Sequence, residues 1–321
     1  MRHVRLAKAR SGGLLLSLPL LLPSLIAAAP VLAQDKAAAN TAAASGDVVV
    51  VGARMKERRE RARAFVHATG IARGQQPAAR WIVPLCPKIV GVAPETAAIV
   101  HQRISTLARE VGALLAPAPC TANAIVTFTD DAPGLTRRVM ARAPDQFRDV
   151  PPPWRDALSG GDAPVRWWHV IKTGDADGVP PVSMQPVFVQ VAGGIGGGGL
   201  PMGEGGVQQR YKEGAISSQA TRAIIGASVV IDVNRIGQRN DAHALGDYAA
   251  LVTLAEFRLA TPPPPDSILG LFEETAPPAT ATPSDVALLK QLYAISLDRE
   301  AKAHRRLLAK ALVDAQGRRG R

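Results

Sequence analysis

Residues 240–257 read NDAHALGDYAALVTLAEF, and beyond the second turn of a helix over this stretch the apolar side chains return on every side. At about 100° per residue, Leu245, Tyr248, Val252, Ala255 and Leu259 form one stripe. Ala250, Leu251 and Leu254 fill the opposite side. A helix that is apolar all round has to be enclosed by other elements, because any exposed flank leaves apolar surface in water. The same stretch predicts Asp241 as the helix cap, with His243 and Asp247 in or near a polar first turn. Glu256 then stands on the apolar stripe, where a carboxylate needs a cation such as Arg258 to be tolerated.

The rest of the chain supplies layers to enclose it. DVVVVGAR (47–54) is β-branched and predicts a strand, followed by a charged helix up to Gly70. RWIVPLCPKIVG (80–91) reads as extended, a helix runs from Pro94 to Gly112, and ANAIVTFTDD (122–131) alternates like a strand. GLTRRVMARA (134–143) predicts a short helix. PVRWWHVIKTG (164–174) is a strand with Val165, Trp167, His169 and Ile171 on one face and Arg166, Trp168 and Val170 on the other. VSMQPVFVQVAGG is a further strand demoted towards an edge by Pro186, and GASVVIDVNR a buried one. After the stiff TPPPPD segment come the apolar plug SILGLF, a helix opened by Thr282, Pro283 and Asp285 as a near capping box, and a basic helix over about 298–316. The expectation is one α+β domain over 47–316, a mixed sheet covered on one side by helices, with a helical tail from about 266 and an unstructured basic end at 317–321.

The first 33 residues have the order of a secretory signal: Arg2, Arg5, Lys8 and Arg10, an apolar run broken by Pro19 and Pro23, then Val31-Leu32-Ala33 as a cleavage site. This predicts a periplasmic or secreted protein with no membrane span after cleavage, and an Ala-, Thr- and Ser-rich disordered leader over 34–46. Cleavage changes 38 basic and 27 acidic residues to 34 and 27, so the net charge falls from +11 to +7. Much of the basicity therefore belongs to the signal, which argues against a nucleic-acid partner. An envelope protein or polymer is the expected partner. Cys86 and Cys120 are the only cysteines, and in an oxidising compartment an even pair points to a disulfide rather than to two buried thiols.

Candidate chemistry is sparse. Gly194, Gly196 and Gly199 have the spacing of a dinucleotide loop, but Leu200 and Pro201 follow where a helix should begin, so no cofactor is expected and the segment 193–206 reads as a surface flap beside a groove. His67, His101 and His304 lie on basic helical stretches and read as solvated. His243 and Asp247 are one helical turn apart, as two metal ligands would be, yet Ala244 stands where a zinc peptidase needs its glutamate and Asp247 where it needs its second histidine. No metal is therefore assigned. The remaining weak catalytic candidates are His169, His243, Asp247 and Glu256, at least two of which would have to converge on one pocket to act.

ARWIVPLCPKIVG, CTANAIVTFTDDA, APVRWWHV, YAALVTLAEFRL and SILGLF followed by DVALLKQLY together resemble a group of exported alphaproteobacterial proteins of unknown function, over about residues 47–312. The order of strand, buried helix, plug and helix is similar to a broader exported zincin-like family, whose corresponding helix carries an acidic catalytic motif. That resemblance implies secretion and a zincin-like frame. YAALVTLAEF departs from the motif, so the expected function is a non-catalytic scaffold or binding protein of the envelope, with a metallopeptidase-like hydrolase as the alternative.

Overall fold

The computed structural model describes residues 35–175, 187–189, 200–202, 220–259, 262–273 and 275–319. The expected signal at 1–33 lies outside them, as does the glycine flap at 193–206 apart from residues 200–202. The chain divides into two units, Met1–Gly52 and Ala53–Arg321, and the second holds the sheet and its cores. The fold is α+β. Five strands make the sheet: β1 (Arg80–Trp81), β2 (Pro87–Val90), β3 (Ala124–Thr129), β4 (Val165–Asp175) and β7 (Ala220–Asp232). β5 (Val187–Val189) and β6 (Leu200–Met202) form a separate antiparallel pair.

β7 organises the sheet. One of its edges carries β1 against residues 223–224 and β3 against 227–232, both parallel, and β2 extends β3 in parallel. The other edge carries β4, antiparallel along its whole length, with a shift of register between Val170 and Ile171 that lets the long pair bend. Parallel strands need a crossover, and α2 (Pro94–Val111) supplies it between β2 and β3. Pro94 starts that helix and Gly112, at φ 86°, ends it in the left-handed conformation that side chains resist. The Cys86–Cys120 disulfide closes the same unit, with Cα atoms 6.1 Å apart. Asn123 doubles the clamp: its amide donates to Pro84 O at 3.0 Å and its oxygen accepts from Cys86 N at 2.8 Å.

α5 (Ala242–Leu254) is enclosed as its pattern demands, with every residue from Ala244 to Leu254 buried. It lies against α2, and Gly246 is the point of closest approach, since a Cβ there would sit 2.9 Å from the Arg103 side chain. Around this pair the main core joins the sheet to α6 (Pro283–Ala294) and α7 (Ala301–Arg319), including Ile224, Leu251, Ile268, Leu288 and Leu308. The plug is a short 3-10 turn at Ile268–Gly270, and the capping box on α6 forms between Thr282 and Asp285.

Three expectations need correction. The valines at 48–51 are not a strand: α1 spans Asp35–Thr69, through both the expected leader and the expected strand. Alanine-rich sequence before them and the i,i+4 pairs Lys56–Glu60 and Arg61–Glu57 after them favour helix, and no described strand pairs with this stretch. Helices cover both faces of the sheet rather than one. α3 (Ala132–Arg142) and α4 (Pro152–Ser159) close the second face over a smaller core of Phe147, Val150, Leu158, Trp168 and Val230. A mainly parallel sheet is buried on both sides, so the alternation of β4 divides two cores rather than core from water. The last helix, α7, also continues to Arg319 instead of ending before the basic tail.

Closing a loop with a sequence separation of 34 contributes about 4 kcal/mol on the chain-entropy account. Replacing both Cys86 and Cys120 by serine is expected to lower the unfolding free energy from a urea melt by an amount near that figure, and the midpoint with it, while leaving the circular dichroism unchanged, because Asn123 and the β2–β3 ladder still fix the unit. Equal midpoints for oxidised wild type and the double variant would show that the clamp is redundant.

Candidate functional site

Asp241 caps α5, accepting from His243 N at 2.8 Å, and the His243 side chain is exposed. Asp247, one turn on, is buried rather than part of a polar first turn. Arg103 of α2 holds it bidentately, Nε on Oδ1 at 2.7 Å and Nη2 on Oδ2, while Ala281 N donates to Oδ2 at 2.8 Å. The carboxylate thus fastens α5 to α2 and to the approach of α6. No hydrogen bond or ion pair joins His243 to Asp247, and Asp247 has no oxygen left uncommitted for a metal. Among the described residues, no group of three His, Cys, Asp or Glu side chains is arranged to hold an ion.

The other two candidates do converge. Past α5 the chain turns extended, and Glu256 faces Arg222 of β7 across two bonds of 2.6 and 3.0 Å, with Arg258 Nη2 at 2.8 Å on the same carboxylate. Burial pushes the Glu256 carboxyl up, but the Arg222 and Arg258 guanidiniums outweigh it and hold it below the usual range. Arg222 also donates to Pro77 O at 3.1 Å and Arg258 to Asp149 O at 2.8 Å. Arg258 N reaches Thr69 O at 3.0 Å, a contact that needs Gly70, at φ 67°, because any Cβ there would lie 2.0 Å from Arg258 O. The expectation that Arg258 or another cation satisfies Glu256 is met by two arginines.

His169 sits in β4, buried, its Nε2 2.9 Å from Val252 O. Burial, the largest influence, lowers its pKa from 6.5 to about 4. The ring is therefore neutral at pH 7, with Nε2–H donating to the carbonyl. His169, Glu256 and Arg258 line one cavity of about 130 Å³ between β4, α4 and the segment after α5. Trp154, Leu158, Trp168 and Phe257 are among the apolar residues of its wall. The buried Arg166 frames the far side, its guanidinium donating to the carbonyls of Leu158, Gly160, Gly161 and Ala163 at 3.0, 3.1, 2.9 and 2.5 Å.

Chemically this is a poor catalytic set. A carboxylate shared by two guanidiniums resists protonation, and a histidine with a pKa of about 4 is a weak base at neutral pH. The arrangement suits enclosure of a ligand instead. The cavity was missed in the sequence because its wall comes from separate stretches and takes residues from both predicted faces of β4, Val165 and His169 from one and Arg166 and Trp168 from the other. His67 and His101 are exposed as expected. His304 is not solvated: it is buried, accepting from Ala78 N at 3.0 Å through Nδ1 and donating from Nε2 to Ser296 O at 3.0 Å, with burial lowering its pKa. No protein family, curated protein or solved structure matches this chain.

Two outcomes follow for stability. Glu256→Gln leaves Arg222 and Arg258 without a counter-charge and is expected to cost about 3–5 kcal/mol in a denaturant melt. The His169 pKa is lower folded than unfolded, so its contribution is complete above pH 6.5 and is lost as pH falls towards about 4, worth about 3 kcal/mol at most. His304 acts with the same sign. In His169→Gln the fall in stability between those pH values should be shallower than in wild type, and an unchanged slope would show that His169 titrates normally.

Proposed function

We propose that the protein is an exported, non-catalytic binding protein of the cell envelope, with the cavity beside β4 as its ligand site. The observation that carries this reading is the state of its buried candidates: Asp247 is committed to Arg103 and Ala281 N, and Glu256 to Arg222 and Arg258. Each carboxylate that a hydrolase would need as a base is already neutralised. Export is supported by the basic head, apolar run and small residues of the first 33 positions, and the Cys86–Cys120 pair is compatible with an oxidising compartment. Among the described residues no helix is long and apolar enough to cross a membrane. Any zincin-like frame is kept here without its chemistry, since Ala244 and Asp247 replace the glutamate and second histidine.

An envelope hydrolase is the second reading, favoured by one fact: His169 and Glu256 line the same cavity. Elemental analysis together with peptidase and esterase assays on the mature chain separates the two. The binding-protein reading expects sub-stoichiometric metal and no hydrolysis above a heat-treated control. Stoichiometric zinc with hydrolysis abolished by chelation would reverse the assignment, as would hydrolysis lost in both His169→Gln and a folded Glu256→Gln.

A further inference from the structure

We infer that the cavity beside β4 takes a small monoanion with a ring-sized apolar body, an aromatic or branched aliphatic carboxylate, whose carboxylate meets Arg258. This rests on the binding-protein reading and names the ligand class of that same site.

Size sets the body. An apolar cavity of about 150 Å³ is large enough to take up benzene. At about 130 Å³, with Trp154, Leu158, Val165 and Trp168 in its wall, this one fits a single ring or a short branched chain and nothing much longer. Phe147 stacks behind Trp168 with ring centres 4.8 Å apart, which fixes the indole as a firm wall. Entry lies past Ala157 and Ala163, two small exposed residues that line the cavity where it meets solvent.

Charge sets the head. Glu256 is the one carboxylate among the lining residues, and it is outnumbered by Arg166 and Arg258 in the wall and by Arg222 directly behind it. That excess of guanidiniums makes the field inside favour an anion and reject a cation, and the buried His169, neutral at pH 7, adds no charge to it. Arg166 contributes mainly charge, because four of its five N–H donors are spent on main-chain carbonyls. Arg258 differs. Both of its hydrogen bonds, to Glu256 and to Asp149 O, are made by Nη2, which leaves Nε and Nη1 without a partner among the described residues. A guanidinium with two donor nitrogens unspent, at the wall of an apolar cavity, is suited to a carboxylate.

The test titrates the mature protein with benzoate, phenylacetate and 4-methylpentanoate against benzyl alcohol and benzylamine, read by calorimetry and by tryptophan fluorescence. The carboxylates are expected to bind at least about tenfold more tightly than the alcohol, which corresponds to one charge-assisted contact, and benzylamine not at all. Ala163→Phe, a substitution at an exposed position, should abolish binding while the melting temperature stays put. Arg258→Gln should reduce the preference for carboxylate over alcohol to near one, and if that variant fails to fold, Arg258→Lys and Ala163→Phe still carry the test. Equal affinity for carboxylate and alcohol, or binding indifferent to Ala163→Phe, overturns the inference. If none of the probes binds and none is turned over, the ligand class is wrong while the non-catalytic reading stands. If the methyl ester of a probe is hydrolysed in a His169-dependent way, it is the reading of function that fails.

Discussion

Glu256 is shared by two guanidiniums, and those two arginines bring together chain segments from four parts of the fold. Arg222 comes from β7 and also holds Pro77 O ahead of β1, while Arg258 holds Asp149 O ahead of α4 and, through its own N–H, the end of α1 at Thr69. A buried charge of this kind adds little net stability against an apolar substitute, yet removing one partner strands the others in a low dielectric. Its effect is to penalise arrangements in which these segments are apart. The segment after α5 is thereby held across the sheet face, with Trp167 Nε1 donating to Phe257 O at 3.0 Å as a second tie.

The cavity follows from that placement. Over Val165–Ile171 β4 is largely buried on both faces, and among the described strands it pairs with β7 alone, so its far side is walled by α4 and residues 256–258. The walls are held by bonds that do not involve the cavity itself: Arg166 ties the loop after α4 by its carbonyls, and the arginine pair fixes Glu256. A space bounded by elements fastened from outside can stay open without collapsing, as filling it would require moving several satisfied polar groups at once. Asp285 plays the same kind of part at the other end of the core, accepting from Ser267 Oγ at 2.5 Å, Ile268 N at 2.9 Å and Thr282 N at 2.8 Å, so that the plug and α6 move as one.

How far the sequence could be read depends on whether a feature is local. The enclosure of α5, the Asp241 cap, the capping box on α6, the two faces of β4 and the need of Glu256 for a cation all follow from residues within a few positions of one another. Features that depend on a distant partner were misread or missed. In sequence Asp247 reads as part of a polar first turn because nothing nearby announces Arg103, which lies 144 positions away. His304 looked solvated because its partner Ala78 is 226 positions away. The valines before Gly52 carry a strand's composition but find no strand to pair with among the described residues, and helix-favouring neighbours decide the matter.

By itself, the sequence determined that one helix must be enclosed, that two cysteines close a strand-helix-strand unit, and that His243 is followed by Ala244 and Asp247 rather than by the glutamate and second histidine of a zinc-binding pattern. These are statements about periodicity, spacing and residue type, which the chain carries wherever it folds. Tertiary structure alone decided that His169 and Glu256 share a cavity while His243 and Asp247 do not, that Arg222 and Arg258 neutralise Glu256, and that both sheet faces are covered. Charge compensation and cavity shape depend on the distance between side chains remote in the sequence, and only packing sets that distance.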